Sequence, residues 1–150
     1  MVTTVGTSSD FNKLIENFII LEHDAIAAYD AVIERLEKPE FKAKIAEFKG
    51  DHERHMTELK SMATRNGVDI PGKGDMKQML TTGKVAFADM VGDDGSILMA
   101  MASNENDTVG AYENGKDNDC VPAEDRAVFT RAYKDELRHK EWMETTARTV

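Results

Sequence analysis

Two stretches of the chain repeat one another, and this limits the possible folds more than any other feature. Adding 83 to the positions of Glu22, Asp24, Ala28, Tyr29 and Pro39 gives Glu105, Asp107, Ala111, Tyr112 and Pro122. Adding 84 to Asp51, Arg54 and His55 gives Asp135, Arg138 and His139. The one-residue difference fits near a turn. A proline stands inside each copy, where it interrupts one helix and suits the first turn of the next. The repeat therefore reads as two helical hairpins facing each other across a pseudo-twofold axis.

Punctuation places the helices. One is capped by Asp10 and runs to about Lys38, and a second runs from Pro39 to Asn66-Gly67. A third spans about Ser96 to Lys116, and Pro122 opens the fourth. Between the hairpins, Gly67, Pro71, Gly72 and Gly74 mark a long connection carrying a shorter amphipathic piece, about Met76 to Met90. β-branched alternation is absent, so no strand is expected. The chain reads as an all-α four-helix bundle over about residues 10–147, within one domain of 1–150. A length of 150 residues suits a single core.

Steps of three and four define the buried stripes. They are Phe11, Ile15, Phe18, Ala25, Tyr29, Val32 and Leu36; Phe41, Ile45, Phe48, Leu59 and Met62; Leu98, Met101, Thr108 and Tyr112; and Phe129, Ala132, Met143 and Thr146. Each stripe has a polar centre. Glu22 fills the gap in the first, His52 and His55 in the second, Glu105 in the third, Glu136 and His139 in the fourth. Unpartnered buried carboxylates and imidazoles are costly, and buried charges are normally paired or bound to metal. The depths agree: 22 and 55 average to 38.5, the Lys38-Pro39 junction, and 105 and 136 average to 120.5, beside Pro122. Each hairpin thus carries its polar pair at one level.

A glutamate from each of two helices, with Glu-x-x-His from each of the other two, is the di-iron pattern of ferritin-like bundles. The sequence resembles that superfamily, in the manner of rubrerythrins and bacterioferritins, and looks most like its small bacterial members of unassigned function. Glu136-Leu137-Arg138-His139 matches the Glu-x-x-His, and Glu22 and Glu105 match the single glutamates. His52-Glu53-Arg54-His55 departs from the pattern, because histidine stands where a bridging glutamate is expected. Four carboxylates and two imidazoles become three and three.

The resemblance implies two iron ions, with manganese or zinc as alternatives. It implies Glu22 and His55 on one metal, Glu105 and His139 on the other, Glu136 bridging and His52 as an added terminal ligand. The chemistry implied is oxidation of Fe(II) or reduction of dioxygen or peroxide, with an unspecified electron donor. The rivals are a non-catalytic zinc-binding or stress-related bundle and a packing module for a protein partner. A homodimer stays open. Tyr29 and Tyr112, seven residues after Glu22 and Glu105, share their face and read as core tyrosines with bonded hydroxyls. Asp51 and Asp135 either orient imidazoles or form a solvated flank. His23 reads as surface.

Composition excludes other classes. Nineteen basic and 28 acidic residues give a net charge of −9, against a nucleic-acid partner. No apolar run approaches the ~20 residues of a membrane span. Residues 1–10 lack the features of a secretory signal, and one cysteine, Cys120, forms no internal disulfide, so a reducing cytoplasm is expected. Gly67 to Lys73 imitates a phosphate-binding loop, but Gly74 replaces its Ser or Thr.

Overall fold

The coordinates are a computed structural model, which describes residues 3–71 and 92–150. Four long helices form an all-α bundle, and no strand occurs among the described residues. They are α1, Phe11–Arg35; α2, Pro39–Arg65; α3, Asp94–Lys116; and α4, Arg126–Ala147. The expected amphipathic piece at Met76 to Met90 lies outside the described residues. None of the described helices is long and apolar enough to cross a membrane.

The helix ends follow local chemistry. The Asp10 carboxylate accepts the free N–H groups of Asn12 and Lys13 and starts α1. Leu36, not Lys38, closes that helix in an extended conformation. Pro39 opens α2, and Gly67 follows its end with φ +67°, the left-handed geometry glycine accepts at no steric cost. Asp93 caps α3, which begins two residues before the expected Ser96. After Pro122 a 3₁₀ turn, Ala123–Asp125, precedes α4.

The Asp94 side chain links the two hairpins. It is buried, and its two oxygens accept the backbone N–H groups of Glu37 at 2.8 Å and Lys38 at 3.0 Å. Asp94→Ala leaves both donors without these partners. It is expected to cost about 2–3 kcal/mol, the scale of hydrogen bonds to a charged acceptor. Urea denaturation measures this, and an unchanged midpoint would contradict it.

Side-chain pairs give the directions of the helices. Tyr29 meets Glu105 while Tyr112 meets Glu22, so α1 and α3 run antiparallel. His55 meets Asp135 while His139 meets Asp51, so α2 and α4 do too. α1 packs on α2 and α3, and α4 packs on α3 and α2. Since α1 is antiparallel to both α2 and α3, those two run in one direction. The end of α2 and the start of α3 therefore lie at opposite ends of the bundle.

The apolar interior is divided. One cluster holds Leu14, Phe18, Leu59, Met62, Tyr112 and Phe129; the other holds Tyr29, Val32, Phe48, Leu98, Met101 and Met143. The polar layer of the four stripes lies between them. Two expected stripe members, Phe11 and Thr146, are only half-buried because they sit at helix ends, where no neighbouring turn covers them.

Residues ahead of α1 also pack on the bundle. Asn118 Nδ2 donates to the carbonyls of Gly6 and Ser8, at 2.8 and 2.7 Å, and Asn114 Nδ2 to that of Val5 at 3.0 Å. Gly6 has φ +90°, and a Cβ there would lie 2.6 Å from the Ala111 carbonyl oxygen. The segment approaches α3 this closely only because residue 6 has no side chain.

Candidate metal centre

The apolar register of each helix turns its polar residues inward at one level. Glu22, His52, His55, Glu105, Glu136 and His139 are all buried, none more than 2% exposed. They form two overlapping groups of four that could hold a metal ion: Glu22, His52, His55 and Glu136; and His52, Glu105, Glu136 and His139. Within each group the potential ligand atoms lie within 4.8 Å of one another. Glu136 and His52, which occupy the same place in the two repeat copies, belong to both groups.

Neighbouring side chains set the orientation of the imidazoles. Asp135 accepts from His55 Nε2 at 2.8 Å, and Asp51 accepts from His139 Nε2 at 2.8 Å. An ionised carboxylate only accepts hydrogen bonds, so each Nε2 carries a proton, and in the neutral ring the lone pair is then on the inward-facing Nδ1. Arg54 pairs with Asp135, and Arg138 with Asp51 at 2.6 Å. Both aspartates therefore orient imidazoles while remaining partly open to solvent. The Phe48 ring stacks on His139, centroids 4.3 Å apart, and screens that side.

The tyrosine hydroxyls are bonded, as core tyrosines require. Tyr29 donates to Glu105 Oε1 and Tyr112 to Glu22 Oε1, each at 2.6 Å, and each bond crosses from one hairpin to the other. Burial and these carboxylates push both phenols well above their usual range. Thr108, on the expected stripe but given no role there, has its hydroxyl 3.0 Å from Glu105 Oε2 and 2.9 Å from Glu136 Oε2. Its signal in the sequence is a hydroxyl on a buried stripe one turn after Glu105. His23 lies off the buried stripe, half-exposed, and lines a groove of about 330 Å³ between α1 and α2 with Lys49 and Lys60. The Cys120 thiol is half-buried and donates to the Ser8 carbonyl at 3.3 Å.

The electrostatics are those of a crowded acidic site. Burial raises the Glu22 carboxyl, but the imidazoles of His52 and His55 outweigh it and hold it at about 2. On Glu105, burial is likewise outweighed, by hydrogen bonding with Glu136 and His52. Burial raises Glu136 well above the carboxylate range, and the Glu105 carboxylate adds to the effect. Burial would neutralise His52, yet Glu136 and Glu22 raise its imidazole well above its usual range. Burial brings His139 down to about 4.

Two atoms in the layer find no hydrogen-bond partner: His52 Nε2 and Glu136 Oε1. They lie 3.5 Å apart. An orphaned buried polar atom costs about 1–3 kcal/mol. These two belong to the residues shared by both groups of four, so a cation between them would meet two otherwise unused donor atoms. Three carboxylates and three imidazoles are a donor set that fits iron, manganese or zinc.

One family model, described as "Domain of unknown function (DUF2383)", matches residues 7–115. No curated protein and no solved structure matches the chain.

Proposed function

The chain belongs to the DUF2383 family, and from that premise we propose that it is a ferritin-like bundle holding a dinuclear metal centre, with iron as the metal and dioxygen or peroxide as the oxidant. The observation that carries this reading is the unpartnered pair, His52 Nε2 and Glu136 Oε1, set between inward-facing imidazole and carboxylate donors. The six proposed ligands are Glu22, His52, His55, Glu105, Glu136 and His139, within one domain spanning residues 1–150. A ferrous pair held by these residues would supply the electrons that reduce dioxygen or peroxide, becoming ferric.

The protein's own groups prepare the site. Asp51 and Asp135 hold the protons of His139 and His55 on Nε2, so that the lone pair of each neutral ring is on the inward Nδ1. Tyr29 and Tyr112 hold Glu105 and Glu22 by their hydroxyls across the hairpin interface. The two apolar clusters exclude water from above and below the layer. The desolvation penalty for buried ions is several kcal/mol each, so the empty acidic cluster opposes folding and a cation relieves that opposition.

Substitution of His52 for a bridging carboxylate supports a second reading, a zinc site without redox turnover, because imidazole suits zinc. The two separate experimentally. Protein purified without chelators is expected to retain iron by elemental analysis. Chelator-stripped protein loaded with Fe(II) and exposed to oxygen or peroxide is expected to develop a near-ultraviolet band. Zinc retention with no band at any iron stoichiometry would favour the second reading. Either cation, at about 100 times its dissociation constant, adds ~2.7 kcal/mol of stability, and so raises Tm by roughly 5–10 °C. An unchanged Tm with iron, manganese and zinc would remove both readings.

A further inference from the structure

The repeat that builds the centre is symmetric, but the centre itself is not. His52 Nδ1 lies 2.7 Å from Glu22 Oε2. A carboxylate at that distance accepts, so Nδ1 carries a proton and is not a ligand; His55 Nδ1 lies farther from Glu22, 3.3 Å from Oε1, and the proton of a neutral His55 is already given to Asp135 through Nε2. A neutral imidazole then has a single lone pair, on Nε2. That nitrogen faces the other way, 3.5 Å from Glu136 Oε1 and 3.8 Å from Glu105 Oε1. Glu22 is meanwhile engaged on both oxygens, by His52 on Oε2 and by the Tyr112 hydroxyl, 2.6 Å from Oε1.

A second difference is independent of His52. Subtracting 83 from 108 gives 25, so the counterpart of Thr108 is Ala25. The Thr108 hydroxyl lies within 3.0 Å of carboxylate oxygens from both Glu105 and Glu136. Alanine supplies no such brace beside Glu22.

We propose that the two halves of the centre load in unequal steps, and that His52 sets the order. This rests on the reading of the cluster as a metal centre. The first cation takes Glu105, Glu136, His139 Nδ1 and His52 Nε2: two carboxylates that neutralise a divalent ion and two imidazoles that complete four donors. The second takes Glu22 and His55 Nδ1 beside the shared Glu136, with one imidazole fewer than the first, and competes with the His52 N–H for Glu22. His52 is thus a specificity-determining residue. In its repeat position a glutamate would have bridged both ions; the imidazole gives its lone pair to one.

The test is calorimetric titration of the chelator-stripped full chain with Mn(II) alone, with elemental analysis of the metal retained. Wild type is expected to bind two ions per chain in steps at least about tenfold apart in affinity, the scale on which ligand environment tunes metal sites. Glu22→Gln, nearly isosteric, is expected to lose the weaker step and keep the tighter, and Glu105→Gln to lose the tighter. His52→Glu is expected to bring the steps together, to within about threefold. Two indistinguishable steps in wild type, or loss of the tighter step in Glu22→Gln, would overturn the unequal loading. Persistence of the full separation in folded His52→Glu would overturn the role given to His52. Failure of wild type to bind Mn(II), Fe(II) or Zn(II) would instead sink the metal centre itself, a different result from equal binding.

Discussion

Glu136→Gln is expected to keep the bundle folded and to lose cation binding at both halves of the centre. Glu136 belongs to both four-residue groups, so removing its charge subtracts a donor from each. Loss of an orienting neighbour alone costs 10–100-fold in metal affinity, so loss of a shared ligand should cost more than about a hundredfold. The fold has no such dependence on this carboxylate. Its folded-state pKa is raised, first by burial and then by Glu105, so the native protein favours the neutral acid. For a raised acid the native state binds more protons than the unfolded chain, and its contribution to stability falls as pH rises above the unfolded carboxylate range. At pH 7 a neutral amide of the same shape relieves that burden. The cation-free variant should therefore melt at or above the temperature of cation-free wild type. Manganese titration and thermal melts at pH 7, done side by side, measure both effects. Wild-type affinity in the variant would rule Glu136 out as a ligand.

Phe18→Ala is expected to produce the largest loss of stability. Phe18 is fully buried one turn before Glu22, its ring 4.9 Å from that of Tyr112 and 5.0 Å from that of Phe129. A Cβ placed on Gly115 would come within 3.0 Å of the Phe18 ring, so the surroundings fit it without slack. Truncating a phenylalanine in such a place costs about 3–5 kcal/mol, a Tm shift of roughly 6–20 °C for a chain of this length. The cavity also adjoins Tyr112, whose hydroxyl holds Glu22. Cation binding on the Glu22 side should weaken, while binding on the Glu105 side, held through Tyr29 and the other apolar cluster, should change less. Chemical denaturation with parallel Mn(II) titration distinguishes these effects. A loss below about 1 kcal/mol would mean that the hairpin interface repacks freely, contrary to the packing of Phe18 against Gly115.

Much of this was legible before any coordinates. The spacing of Ile15, Phe18, Ala25 and Tyr29 gave the buried face of α1, and the same periodicity gave the other three. Pro39 and Pro122 placed the turns, and the turns placed Glu22 level with His55, which the structure sets 3.3 Å apart, Oε1 to Nδ1. Other features were not legible in this way. Asp51 and Asp135 could equally be read as a solvated flank, because their role depends on a histidine of the opposite hairpin. Thr108 looked like one more stripe residue, because its partners Glu105 and Glu136 lie on different helices. Asp94, in the first turn of α3, accepts from Glu37 and Lys38 of the other hairpin, a contact that no pattern within its own helix carries.

The sequence by itself determined four amphipathic helices, their turns, and a polar level inside each, because periodicity and prolines act within one helix or hairpin. Only the tertiary structure decided which nitrogen of His52 faces which carboxylate, that the tyrosines reach across to the opposite hairpin's glutamates, and that His52 Nε2 and Glu136 Oε1 face each other without a hydrogen bond. Hydrogen bonds are directional over tenths of an ångström. Their partners are therefore chosen by the rotation and offset of one hairpin against the other, which no pattern within a single helix specifies.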